Sequence, residues 1–182
     1  MHIQQFTFNP FSENTYILSD SSRACVIIDP GCMNAEEQEK LKAYLDEHQL
    51  KPVKLLNTHC HIDHVLGNRW VAQTYGLGLE MHAADLPVLH ALPDVARMYG
   101  VPAEPSPEPV HFLKESDIVT FGQTSLRVLF TPGHSPGSIV FYNADEKQLI
   151  AGDVLFYESI GRTDLPGGDH QTLLNSIREK LW

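Results

Sequence analysis

The chain has 182 residues, 42% of them hydrophobic, and a formal net charge of −10. That length fits one domain, residues 1–182, able to bury a core without disulfides, and that hydrophobic fraction is globular and not disordered. The acidic balance disfavours nucleic acid and anionic membrane surfaces as partners, because either would be repelled. Cys25, Cys32 and Cys60 are odd in number and irregular in spacing. They read as reduced thiols of a cytoplasmic protein, not as a disulfide framework. The first residues hold no basic region and no long apolar run, so neither a signal peptide nor a membrane span is expected.

In chain order, "HIQQFTF" (2–8), "NTYILS" (14–19) and "ACVIIDPG" (24–31) read as strands separated by turn signals. "NAEEQEKLKAYLDEH" (34–48) reads as a helix. Asn34 can cap it, Glu37 sits where a capping box wants it, and Leu41, Tyr44, Leu45 and His48 line one face. "VKLLNT" (53–58) is a short apolar run, and "NRWVAQTYG" (68–76) a helix that Gly76 can stop. "AADLPVLHALPDVARMYG" (83–100) suggests two helical pieces broken at Pro87 and Pro93, and "VPAEPSPEPV" (101–110) a loop. Strands resume at "IVTF", "SLRVLF", "SIVFY" and "QLIAGD", and the chain closes on a helix with Leu173, Leu174, Ile177 and Leu181 on one face. The order predicts an α/β layered domain, sheets covered by helices.

"NTHCHIDHVLGN" (57–68) packs His59, His61, Asp63 and His64 into six positions. Imidazoles and carboxylates are costly to bury, so a polar surface loop explains this order poorly and a metal site explains it well. His59 and His61 can share one side of an extended segment, and Asp63 and His64 follow where the chain must turn, which suits two adjacent metals. Two other places look prepared: His134 in the Gly/Pro-rich turn "TPGHSPGS", and Asp153 beside Gly152 at the end of "LIAGD". Cys60 alternates away from its neighbours and reads as packing. His2, His48, His90 and His111 read as structural or exposed, with His82 and His170 weak candidates.

These residues resemble the metallo-β-lactamase fold superfamily. "THCHIDH" is similar to its His-x-His-x-Asp-His signature, "PGHSPGS" to its third-histidine loop and "AGD" to its bridging-aspartate strand. The resemblance implies a four-layer αβ/βα sandwich. It further implies that His59, His61 and His134 hold one metal, Asp63 and His64 hold a second, and Asp153 bridges them. The metals implied are divalent, zinc first, with iron or manganese as alternatives. "IGRTDLPGGDHQTLLNSIREKLW" (160–182) resembles the glyoxalase II-like branch, and "GRTD" also resembles the persulfide dioxygenases. Arg162 and Asp164 can be read as a buried ion pair bracing the metal loop or as a surface pair.

The chain departs from that pattern where it stops. The superfamily's further strand, with a last histidine in a "GHG"-like loop, has no counterpart before Trp182. Partial occupancy of the second site is therefore expected, as is self-association through an uncovered C-terminal edge. The resemblance implies hydrolysis of a small, hydroxyacyl-glutathione-like thioester by metal-activated water, with Asp63 aiming the nucleophile. The alternatives are a mononuclear iron oxygenase using His59, His134 and Asp153, and a non-catalytic metal-binding protein.

Overall fold

Short continuous apolar runs build the centre of the first sheet, so that both of its faces are buried there. The structure, a computed structural model, describes residues 1–181. Strands β1 (His2–Phe8), β2 (Glu13–Ser19), β3 (Ala24–Ile28), β4 (Lys51–Leu56), β5 (Leu79–His82) and β6 (Pro109–Leu113) form one sheet in that order. The pairings are antiparallel from β1 to β3 and parallel from β3 to β6. Strands β7 (Ile118–Phe121), β8 (Thr124–Phe130), β9 (Ile139–Asn143) and β10 (Gln148–Ile150) form an antiparallel second sheet, ordered β10-β9-β8-β7. A small hairpin of β11 (Leu155–Phe156) and β12 (Ser159–Ile160) follows.

Successive side chains of a strand point to opposite faces, and the cores divide accordingly. Leu18, Val26, Ile28 and Leu56 pack against Leu126, Val128, Ile139 and Phe141 between the two sheets. Their neighbours Ile17, Cys25, Ile27 and Leu55 face outward. There they meet Leu41 and Leu45 of α1 (Ala35–Glu47), Val71 of α3 (Asn68–Tyr75), Leu89 of α4 (Leu86–His90) and Leu92 and Ala96 of α5 (Leu92–Tyr99). On the far side Val140 meets Leu173 of α6 (His170–Ser176) and Ile177 of the π-turn that follows it. Helices, sheet, sheet, helix: these are the four layers expected.

Several expectations need correction. Pro87 and Pro93 do not break helices but start α4 and α5, where their missing N–H groups cost nothing. β5 and β6 form over residues where no strand is expected. β6 begins at Pro109, inside the stretch read as a loop, which an edge strand allows because its outer N–H groups need no partner. Asn34 caps α1 as expected, but Glu37 accepts from the N–H groups of Met33 and Asn9, so no capping box closes. His48 is exposed and stacks on Tyr44. No helix among the described residues is long and apolar enough to cross a membrane.

Candidate metal centre

The parallel strands β3, β4 and β5 end at one edge of the molecule, where loops are free to carry polar groups outside the sheet. β4 leads into residues 57–61, which form neither helix nor strand, and α2 (Ile62–Val65) then turns Asp63 and His64 back toward the preceding histidines. The loop from β8 to β9 brings His134 from the second sheet. The turn after β10 brings Asp153, three residues past the strand. Gly152 makes that approach possible. Its φ is +50°, and a Cβ there would lie 2.3 Å from Thr58 Oγ1.

The six side chains expected to hold metals do converge. His59, His61 and His134 form one group, and Asp63, His64 and Asp153 another, with ligand atoms within 4.8 Å of one another in each. His134 Nε2 lies 3.1 Å from His59 Nε2, 2.9 Å from His61 Nδ1 and 3.6 Å from Asp153 Oδ2. The hydrogen bonds on the outer sides of two rings decide what these nitrogens carry. His134 Nδ1 donates to the Arg162 carbonyl (2.8 Å), so its Nε2 is bare. Thr58 Oγ1 gives its proton to Asp29 Oδ2 (2.5 Å) and so accepts from His59 Nδ1 (3.1 Å), which leaves His59 Nε2 bare as well. Two lone pairs then face each other across 3.1 Å inside the protein. That is repulsive alone and favourable around a cation, since two ligands of a tetrahedral zinc stand about 3.3 Å apart.

Electrostatics agree. Burial, then the neighbouring His134 and His64, push the His61 imidazole down to about 3. Burial also pushes His59 well down and His134 down. The three rings are therefore neutral, the form that binds metal. The second group is anionic. His64 Nε2 lies 3.3 Å from Asp153 Oδ1 and 3.5 Å from Asp63 Oδ2. Its Nδ1 lies 3.1 Å from Asp29 Oδ2 and 3.9 Å from Glu13, without hydrogen-bond alignment to either. Burial opposes charge on His64, but Asp153, Asp29 and Asp63 outweigh it and hold its pKa well above the usual imidazole range. Burial raises the Asp63 pKa, whereas at Asp153 the imidazoles of His64, His134 and His61 together outweigh burial and lower it. So the residues present fit two adjacent cations sharing Asp153: three neutral imidazoles on one side, two carboxylates and an imidazole on the other.

The supporting residues were less legible. Asp29, fully buried with φ +51°, accepts from Thr58 N–H, Thr58 Oγ1 and Asn57 Nδ2, and so fixes the start of the histidine segment. Asp85, also fully buried, accepts from Cys60, Ser135 and Gly137. "DPG" at 29–31 was a usable turn signal for the first. Asp85 had none, because it lies in a short 3₁₀ turn after an unread strand. Arg162 and Asp164 form an exposed bidentate pair (2.7 Å), not a buried one. The brace to the metal loop runs instead through the Arg162 main-chain carbonyl. Cys60 is buried with Sγ 3.5 Å from Met81 Sδ, and outside both donor groups. His82 stacks on Phe130 and His170 opens α6, so neither joins the cluster.

Beside His64 and Asp153 opens a cavity of about 270 Å³. Asn14 and Tyr16 line one side, and Leu155, Phe156 and Tyr157 of the small hairpin line another. Tyr157 stands 91% exposed at the hairpin tip, an apolar rim next to the donor cluster.

Comparison with known proteins agrees with this geometry. The profile of the metallo-beta-lactamase superfamily matches residues 8–182. The chain is 36% identical to a probable metallo-hydrolase, YqgX, of Bacillus subtilis and 35% identical to the hydroxyacylglutathione hydrolase GloC of Haemophilus influenzae. Each match covers 100% of this chain and 84% of the relative. The mitochondrial persulfide dioxygenase ETHE1 of Mus musculus is 32% identical over 92% of this chain and 58% of its own length. Among solved structures, the BLEG-1 B3 metallo-beta-lactamase superposes with a TM-score of 0.89 at 37% identity, covering 99% of this chain and 85% of that one. TTHA1623 in a di-iron-bound form gives 0.87 at 36%, covering 98% and 85%. With the fold, the donor cluster and a match over nearly its whole length in agreement, the chain belongs to the metallo-β-lactamase superfamily.

Proposed function

We propose that this protein is a metal-dependent hydrolase of small thioesters. The observation that carries the proposal is the second donor group. Asp63 and His64 stand beside the three-histidine group and share Asp153 with it, which is more than a single-iron oxygenase requires. The 35% identity to GloC across the full chain supports a hydroxyacyl thioester as substrate.

Two divalent cations bound here, zinc in our reading, would supply a water acidified from about 15.7 to about 7 and an electrophile for a carbonyl oxygen. The chain's own residues do the rest. Asp63, its carboxylate turned into the cluster, accepts a hydrogen bond from the attacking water and aims it at the thioester carbon. His134 and His59, held by Arg162 and Thr58, keep their Nε2 lone pairs inward. The acyl chain lies along Leu155 and Phe156, which exclude bulk water from one side. The leaving thiol, with a pKa of about 8.5, departs with little protonation, so no dedicated acid is needed. Three buried, unpaired cysteines suit a reducing, cytoplasmic setting.

A second reading has its own support. The similarity to a persulfide dioxygenase and to a di-iron-bound structure supports iron as the metal. The test is thiol release from hydroxyacyl-glutathione and simple alkyl thioesters by zinc-loaded and iron-loaded protein. Oxygen uptake with glutathione persulfide and hydrolysis of a chromogenic cephalosporin are measured alongside. The proposal expects metal-dependent thiol release above the other two. Oxygen uptake or lactam cleavage exceeding it would overturn the assignment.

A further inference from the structure

Asp85 belongs to neither donor group, yet its carboxylate joins the two loops that supply the three histidines. Cys60 N–H donates to Oδ2 (2.7 Å), while the Ser135 hydroxyl (2.6 Å) and Gly137 N–H (2.5 Å) donate to Oδ1. Cys60 stands between His59 and His61, and Ser135 directly follows His134. These loops leave β4 and β8, strands of different sheets. A main-chain bond from Ile139 to the Thr58 carbonyl (2.9 Å) ties them where they leave the sheets. Asp85 ties them beside the imidazoles. The fit is close on the second loop: a Cβ on Gly137 would lie 2.6 Å from the Asp85 nitrogen.

We infer that Asp85 is a positioning residue for the metal centre, setting the distance between the His59–His61 segment and His134. The inference rests on the metal reading of the cluster and not on the choice of substrate. The chemistry is one of acceptor count. All three neighbours are donors, two of them main-chain N–H groups that cannot reverse, so both oxygens must accept. An asparagine offers one oxygen and one NH₂. In one orientation its NH₂ faces the Cys60 N–H, and in the other it faces the Gly137 N–H. Either way one loop is released while side-chain volume is unchanged.

The experiment titrates zinc against a chromophoric chelator in the wild type and in Asp85→Asn, then records the visible spectrum of each protein saturated with cobalt. Residues that orient ligands typically change metal affinity by about 10–100-fold when replaced. Asp85→Asn is expected to lose first-equivalent affinity by that factor and to show a shifted or weakened cobalt band even at saturation. A purely structural residue would lower the melting temperature and leave affinity and band unaltered, and that result would overturn the inference. Should Asp85→Asn not fold, Ser135→Ala decides. It removes one of the three bonds and keeps the carboxylate, so a smaller affinity loss supports the inference and wild-type affinity refutes it. A wild type that binds no zinc would instead sink the metal reading itself.

Discussion

Replacing Thr58 by valine removes one hydroxyl and nearly nothing else. That hydroxyl donates to Asp29 Oδ2 at 2.5 Å and accepts from His59 Nδ1 at 3.1 Å, and both partners are buried. Asp29 keeps the Thr58 N–H (2.7 Å) and Asn57 Nδ2 (3.2 Å), so its charge is not stranded. Losing one hydrogen bond to a buried charged group costs about 1.5–3 kcal/mol. For a chain of this size that is a drop in Tm of about 3–12 °C. The effect on the metal is separate. Without an acceptor at Nδ1, His59 is free to place its proton on Nε2, where it blocks the ligand position, and zinc affinity is expected to fall about 10–100-fold. Thr58→Ser, which keeps the hydroxyl, should retain most of both. Thermal melting of the metal-free protein and a zinc competition titration read the two effects apart. If Thr58→Val binds zinc as tightly as Thr58→Ser, the tautomer reasoning for His59 is wrong.

In the metal-free protein, His61 should stay neutral at pH 5, because its pKa is pushed down to about 3; a histidine C2–H resonance titrating near the usual 6.5 would contradict this. The unfolded chain takes up that proton near 6.5, so His61 should destabilise the metal-free fold as pH falls from 6.5 toward 3, and His59 and His134, also lowered, act in the same sense below 6.5. His64 works in the opposite sense: its raised pKa gives stability that is present below 6.5 and lost as pH rises through its folded value. Zinc added to the 182-residue chain should bind in unequal steps, since the described second group holds two carboxylates and one imidazole, and Asp153→Asn should abolish the weaker step. Two equal, tight equivalents in the wild type, or a second equivalent retained in Asp153→Asn, would refute the shared-carboxylate arrangement.

The sequence by itself determined the layered architecture and singled out the six side chains that the structure gathers into two groups. Short apolar runs in β3 and β4 mark strands buried on both faces, and the crowding of His59, His61, Asp63 and His64 has no cheap structural use, so both features are visible in the sequence alone. What only the tertiary structure decided is how those donors are held. Asp29, Asp85 and the Arg162 carbonyl are far in sequence from the rings they orient, and hydrogen bonds across 25 to 52 residues leave no periodicity to read. β5 and β6 went unread for a related reason. β7 is as short as β5 but carries β-branched residues, whereas β5 has none and β6 follows a proline-rich stretch, so their strand character comes from pairing with neighbours in the sheet rather than from their own composition. The Arg162–Asp164 pair shows the limit most directly: two opposite charges two residues apart suit a buried brace or a surface turn equally well, and only the packing of the chain around them makes it the latter.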